Sequence, residues 1–338
     1  MASPIIDIIS LDFPWTTADP FLFCVHHQDN YPKGNDQLGP AVSLEGRNIG
    51  QDFIVKDGWR MYHGSKVPGF PPHPHTGFET VTIVTQGYID HSDSLGATAR
   101  FGNGDVQWIT TGKGLQHSEM FPLLNKDENN PLELFQIWLN LPAKTKEADP
   151  YFGMLWYEDI PWLNYEDEQG RGTDVRVIAG ELDGTSPLAP PPDSWAAERD
   201  NGVAIWLIDM QPEADWTLPA GLEGLNRTLY YFEGDGLQVE GETIPSYRGV
   251  KLTSDAEVSL QNGNKKARML LLQGRPIAEP VVQHGPFVAT SREQMQQMIQ
   301  RYQQTEFGGW PWPEAEHTHE RDKGRFAIYV DGSKEEKD

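Results

Sequence analysis

Two short peptides in this sequence have the residue types and spacing for metal chemistry. His73-Pro74-His75 sets two imidazoles two residues apart, and His117-Ser118-Glu119 sets an imidazole and a carboxylate at the same spacing. In a β-strand, residues i and i+2 face the same side. Each peptide can therefore turn both of its ligating side chains inward from one strand. If the two strands are neighbours in a barrel, three imidazoles and one carboxylate meet at a point. This mixed nitrogen and oxygen set suits Fe(II), and also Mn, Ni, Cu or Zn. Four protein ligands leave one or two positions of an octahedral ion open, which is what a catalytic metal needs. Spacing alone leaves a plainer reading standing. A His-x-His pair also arises in surface clusters, and Pro74 marks a strand start or an edge. The other histidines are weaker candidates. His317-Thr318-His319 has the same form but follows Trp310-Pro-Trp-Pro313 in a charged stretch, so it reads as a solvated tail. His26 and His27 are adjacent and would face opposite sides of a strand. His284 precedes Gly285-Pro286 and reads as a turn, and Cys24 reads as a small buried hydrophobe.

The elements that would position the two peptides are short strands. Runs rich in β-branched and aromatic residues occur at Glu79–Thr85, Gly87–His91, Asp105–Thr110 and Leu132–Asn140, with turns such as Gly102-Asn103-Gly104-Asp105 between them. This rhythm predicts an antiparallel sandwich or barrel. Residues 142–172 are polar and acidic and read as a connection. Strands resume at Asp174–Gly180, Gly202–Met210, Arg227–Phe232, Gly236–Glu240, Gly249–Leu252 and Ala267–Leu272. Two β-rich stretches of similar length suggest a duplicated domain. The clearest helix is Ser291–Gln303, with Ser291 as N-cap and Met295, Met298, Ile299 and Tyr302 on one packing face.

The 338 residues suffice for about two domains. With 27 Lys and Arg against 50 Asp and Glu, the formal charge is −23. That argues against direct contact with nucleic acid and against an anionic membrane surface, both of which favour basic partners. A single cysteine excludes an intrachain disulfide. The opening residues lack the basic stretch of a signal peptide, and no run approaches 18 apolar residues. A cytoplasmic protein is expected.

Longer stretches around the two peptides resemble the pirin family of bicupins. They are Gly69-Phe-Pro-Pro-His73-Pro-His75-Thr-Gly-Phe-Glu79-Thr-Val81 and Gly104-Asp-Val-Gln-Trp-Ile-Thr-Thr-Gly-Lys-Gly114-Leu-Gln-His117-Ser-Glu119-Met120. Glu133-Leu-Phe-Gln136-Ile-Trp138-Leu-Asn140-Leu-Pro142, Leu271-Leu-Gln-Gly-Arg-Pro276-Ile-Ala-Glu-Pro280 and Gly285-Pro-Phe-Val288 add to the match. The resemblance spans roughly residues 45–310 and is densest over 69–142. It implies an all-β fold of two cupin (jelly-roll) β-barrels packed together, with a short C-terminal helix. The expected division is 1–145 for the metal-binding barrel, 146–312 for a barrel without metal, and 313–338 for a charged tail. The family's His-x-His and His-x-Glu pattern falls on His73, His75, His117 and Glu119, implying one divalent metal, Fe(II) first and Mn, Ni, Cu or Zn as alternatives. Glu79, a ligand position in general cupins, would instead accept a hydrogen bond from a ligand imidazole.

Similarity to quercetin 2,3-dioxygenases among pirins implies a small aromatic substrate of the flavonol type and O₂. Glu119 would accept the substrate's hydroxyl proton, and the electron-rich substrate would react with O₂, open its ring and lose carbon monoxide. Trp108, Met120 and Phe121 are expected wall residues. The alternative implied by the family is a non-catalytic, redox-responsive iron protein that binds a protein partner such as a transcription factor. Segments 142–172, 187–192 and the tail are longer than in shorter pirins and would reshape the pocket mouth.

Overall fold

The computed structural model describes residues 3–338. The chain is almost wholly β, with one α-helix, Arg292–Thr305, near its C-terminus. Two compact units form, each a pair of antiparallel sheets closed over its own apolar core.

The first unit comprises 26–137, 141–157 and 279–338. Its sheets are built mainly from a five-stranded set, in the order Tyr151–Leu155, Val106–Thr110, Phe78–Gln86, Asn130–Asn140 and Phe21–Tyr31, and a six-stranded set. The six-stranded order is Lys334–Lys337, Arg325–Ile328, Thr98–Gly102, Tyr88–Asp93, Leu115–Met120 and Gly69–His75. Val84, Ile89, Phe101, Ile109, Leu134 and Phe152 are core residues between them. Most of these strands are buried on both faces, polar Thr80, Thr82, Arg100 and Gln107 included, so polarity along them does not mark an exposed face.

The second unit comprises residues up to Val25, Trp138–Asn140 and Glu158–Ala278. Its seven-stranded sheet runs Ile5–Ser10, Arg248–Leu252, Asn226–Glu233, Ala267–Gly274, Ala204–Met210, Gly172–Ala179 and Trp162–Glu166. A four-stranded sheet, Asp215–Leu218, Val258–Gln261, Leu237–Val239 and Glu242–Ile244, faces it across Val177, Trp206, Leu229, Leu260 and Leu271.

These compact units interleave in sequence rather than meeting at 145/146 and 312/313. Ile5–Ser10 pairs with Arg248–Leu252 and completes the sheet of the later unit. Residues 279–338, helix included, belong to the earlier one, where Phe326, Ala327 and Ile328 pair with Arg100, Ala99 and Thr98. Division by contiguity fails because β-pairing joins residues distant in sequence.

The tail is likewise fastened rather than solvated. Arg100, fully buried, holds Asp90 through two hydrogen bonds of 2.7 and 2.8 Å and donates to the carbonyls of His319, Glu320 and Lys323. The Glu316 carboxylate accepts from the backbone N–H groups of Ser65, Lys66 and Val67 at 2.7–2.9 Å. His317 stacks on Trp312 and lies 2.7 Å from the Ser92 hydroxyl. Of the charges that suggest solvation, Glu316, Arg321 and Arg325 are aimed at partners across the chain. The 142–172 connection also contains two strands, Tyr151–Leu155 and Trp162–Glu166. In the second, exposed Trp162, Asn164 and Glu166 alternate with half-buried Leu163 and Tyr165.

The helix matches its expectation. Ser291 Oγ accepts from Gln294 N–H at 3.1 Å, Met295 and Met298 are buried, and Ile299 and Tyr302 pack with Phe287 and Phe307. Ser291→Ala removes the cap and is expected to cost about 1 kcal/mol of stability, read by denaturant unfolding. A loss below a few tenths would mean that docking alone holds the helix.

Candidate metal centre

Gly69–His75 pairs antiparallel with Leu115–Met120. A register shift between Phe70 and His73 takes up Pro71 and Pro72, which offer no ladder N–H, and then sets His73 directly opposite His117. Gly69, at φ +128°, permits the close approach: a Cβ there would lie 2.4 Å from the Glu119 carbonyl oxygen. Alternation brings His75 and Glu119 to the same interior face. One potential ligand atom from each of His73, His75 and His117 lies within 4.8 Å of the others. The ring centroids form a near-equilateral triangle of 4.5, 4.8 and 4.9 Å.

Glu119 sits beside this triangle rather than within it, with Oε2 3.9 Å from His117 Nε2. Its carboxylate is held by the Thr82 hydroxyl at 3.2 Å and the Gln136 amide at 3.1 Å. Burial pushes its pKa up to about 7, against the pull of those two hydrogen bonds. Burial lowers the imidazoles, His73 to about 4 and His75 and His117 well below their usual value, with neighbouring histidines adding to the effect. They are therefore neutral near pH 7, with lone pairs to offer. The Pro71 carbonyl lies 2.9 Å from His73 Nδ1. A carbonyl can only accept, so Nδ1 carries the proton and Nε2 keeps its lone pair.

His117 decides whether this set fits a metal. Among the described residues, neither of its buried ring nitrogens has a hydrogen-bond partner. Leaving such groups unsatisfied is costly, and a cation at the triangle's focus would engage one of them. The donor set of three imidazoles beside a carboxylate is that of a divalent transition metal.

Other expected residues fall elsewhere. Glu79 is buried and accepts from the Thr110 hydroxyl at 2.7 Å. Trp108 pairs across from Val81, on the face opposite the interior row of Thr82 and Gln107. Met120 packs with Leu38 and Val67. Neither lines the interior, because one step along a strand reverses the side chain. Phe121 meets Tyr62 and Phe70 in an aromatic cluster, and Phe70 reaches His73 at 6.1 Å. His317 and His319 join no third ligand among the described residues. His26 stacks on Phe135 while His27 bonds the Tyr62 hydroxyl at 2.8 Å, on different neighbours as their adjacency requires.

Sequence reasoning missed Thr82, Gln136 and His91. His91 is fully buried, pairs opposite Glu119, stacks on Phe152 and lies 5.5 Å from His117 between ring centroids. Only the register of a third strand places it there. The alternation of ETVTIVT could have marked Thr82 as sharing a face with Thr80, but not which face is interior.

The sequence profile described as Pirin matches residues 14–139, and that of the Pirin C-terminal cupin domain matches 205–308. A Pseudomonas aeruginosa protein provisionally named a quercetin 2,3-dioxygenase is 38% identical over 247 residues, covering 70% of this chain and 79% of its own. The chain belongs to the pirin family. A tomato (Solanum lycopersicum) pirin-like protein is 34% identical to this pirin over 254 residues, covering 74% of this chain and 80% of its own. Among solved structures, a quercetin 2,3-dioxygenase from Acinetobacter baumannii superimposes with TM-score 0.71 at 23% identity, over 91% of this chain and 99% of the other. At that identity the likeness speaks for the bicupin fold. No helix among the described residues of this pirin is long and apolar enough to cross a membrane.

Proposed function

We propose that this pirin is a cytoplasmic, metal-dependent dioxygenase of flavonol-like aromatic substrates, with His73, His75, His117 and Glu119 holding one divalent ion, Fe(II) first. The observation that carries this reading is the buried triangle of imidazoles with a carboxylate 3.9 Å from His117. The name of the Pseudomonas relative supports the substrate class.

The ion, when bound, supplies Lewis acidity and one-electron chemistry toward the substrate's ring hydroxyls and O₂. The chain's own residues do the rest. Glu119 takes the hydroxyl proton, and a carboxyl held near 7 by burial is matched to that task at neutral pH. Thr82 and Gln136 fix its orientation. Phe70, with Tyr62 and Phe121 behind it, offers aromatic faces to a flat ring and keeps water out.

Anaerobic and aerobic turnover of quercetin, followed by the loss of flavonol absorbance, tests this. We expect O₂-dependent consumption that falls by about 10²–10⁴-fold in Glu119→Gln, the range of a lost general base. Undiminished turnover would remove Glu119 from that role. A metal-loaded protein that turns over no flavonol would favour the non-catalytic reading, in which the iron's redox state tunes a protein-binding surface.

A further inference from the structure

The second unit contains a cavity of about 520 Å³ that no part of the metal chemistry uses. It opens at the end of that unit's barrel, where the register of three strands sets Arg227 opposite Gln273 and Gln273 opposite Ala204. One row deeper, Leu229, Leu271 and Trp206 begin the apolar core. The polar pair therefore lies where the barrel interior turns into a pocket.

Arg227 is 3% exposed and Gln273 6%. The Arg227 guanidinium donates to the Pro219 carbonyl at 2.7 Å and, at 3.4 and 3.5 Å, to those of Ser254 and Ala256. Among the described residues its Nε has no partner, and no carboxylate offsets the burial that lowers its pKa to about 10. A buried cation without a counter-charge is uncommon in a folded protein. The Gln273 amide donates to the Gly202 carbonyl at 3.2 Å, while its Oε1 accepts nothing. An unmatched donor and an unmatched acceptor thus stand side by side. Leu182, Trp206 and Leu222 supply apolar wall, and an exposed Arg199–Glu181 ion pair stands at the rim. The volume is in the usual range for small-molecule sites.

We propose that this cavity binds a small hydroxylated aryl carboxylate. Its carboxylate accepts from the Arg227 guanidinium, its hydroxyl donates to Gln273 Oε1, and its ring lies against Leu182 and Trp206. One charge on an apolar body fits better than a polyanion, because Glu181, Asp183 and Glu198 also line the site.

The probe is 3-hydroxybenzoate, with the uncharged 3-hydroxybenzyl alcohol as control, titrated into the full chain carrying ¹⁵N-labelled tryptophan. The Trp206 indole resonance, assigned from Trp206→Phe, reports this cavity and not the metal centre. We expect a saturable shift with the carboxylate, at least about tenfold weaker binding of the alcohol, and a similar loss for the carboxylate in Arg227→Gln. Ala220→Trp, which fills the cavity from an exposed rim position and leaves Arg227 in place, should also abolish the shift. It keeps the test open if Arg227→Gln does not fold. No shift with 3-hydroxybenzoate, an equal response to the alcohol, or undiminished binding in the folded variants would overturn the proposal.

Discussion

His117→Ala is expected to reduce the metal content from about one ion per chain to near none and to abolish flavonol-dependent O₂ uptake. His117 stands at the centre of the set, opposite His73, with ring centroids 4.5 Å from His73 and 4.9 Å from His75. Losing even an outer partner of a ligand typically costs 10–100-fold in metal affinity or activity, and losing the ligand itself costs more. The apo-protein should respond differently. Among the described residues neither buried His117 nitrogen has a partner, so alanine removes an unsatisfied polar group while opening a cavity, two effects of opposite sign. The melting temperature without metal should therefore move little, whereas the rise produced by added Fe(II) should vanish, since a ligand stabilises only the state that binds it. Elemental analysis and paired melting curves with and without metal measure both. Retention of one ion per chain in His117→Ala would end the metal assignment.

Arg100→Ala is expected to destabilise the first unit by about 3–5 kcal/mol, the cost of leaving a buried charge without its partner. Arg100 and Asp90 are both fully buried, and the guanidinium also caps three carbonyls of the C-terminal segment. Alanine thus strands Asp90 and loosens residues 313–338 together. Arg100→Lys should recover little, because an ammonium cannot bond a carboxylate bidentately and reach three carbonyls as well. Denaturant unfolding gives the energy, and hydrogen exchange over 313–338 shows whether the segment detaches first. A cost below about 1 kcal/mol would place the pair among the many ion pairs that contribute nothing measurable.

The two predictions draw on different kinds of information. His73, His75, His117 and Glu119 stand out in the sequence because metal ligation needs particular atoms and a strand repeats every two residues. That short-range rule works without knowing the partner strand. The helix is legible for the same reason: Ser291 and its 3–4 stripe are local. Arg100, by contrast, is one arginine among many charges until Thr98–Gly102 pairs with Arg325–Ile328. His91 and Thr82 likewise acquire roles only when their strands come to lie beside Leu115–Met120 and Asn130–Asn140. The outward placing of Trp108 and Met120 depends on which face of a doubly buried strand is interior, and polarity along the strand does not record that.

By itself, then, the sequence determined the chemistry on offer, the strand-rich architecture and the family, because atom types, period and local motif are properties of neighbouring residues. Tertiary structure alone decided the rest. It decided which terminus completes which barrel, that the charged tail is anchored, that Glu119 stands beside the imidazoles under Thr82 and Gln136, and that Arg227 is buried without a counter-charge. Each of these is set by pairing and burial between residues far apart in the chain, whose free energy depends on what surrounds a group rather than on what precedes it.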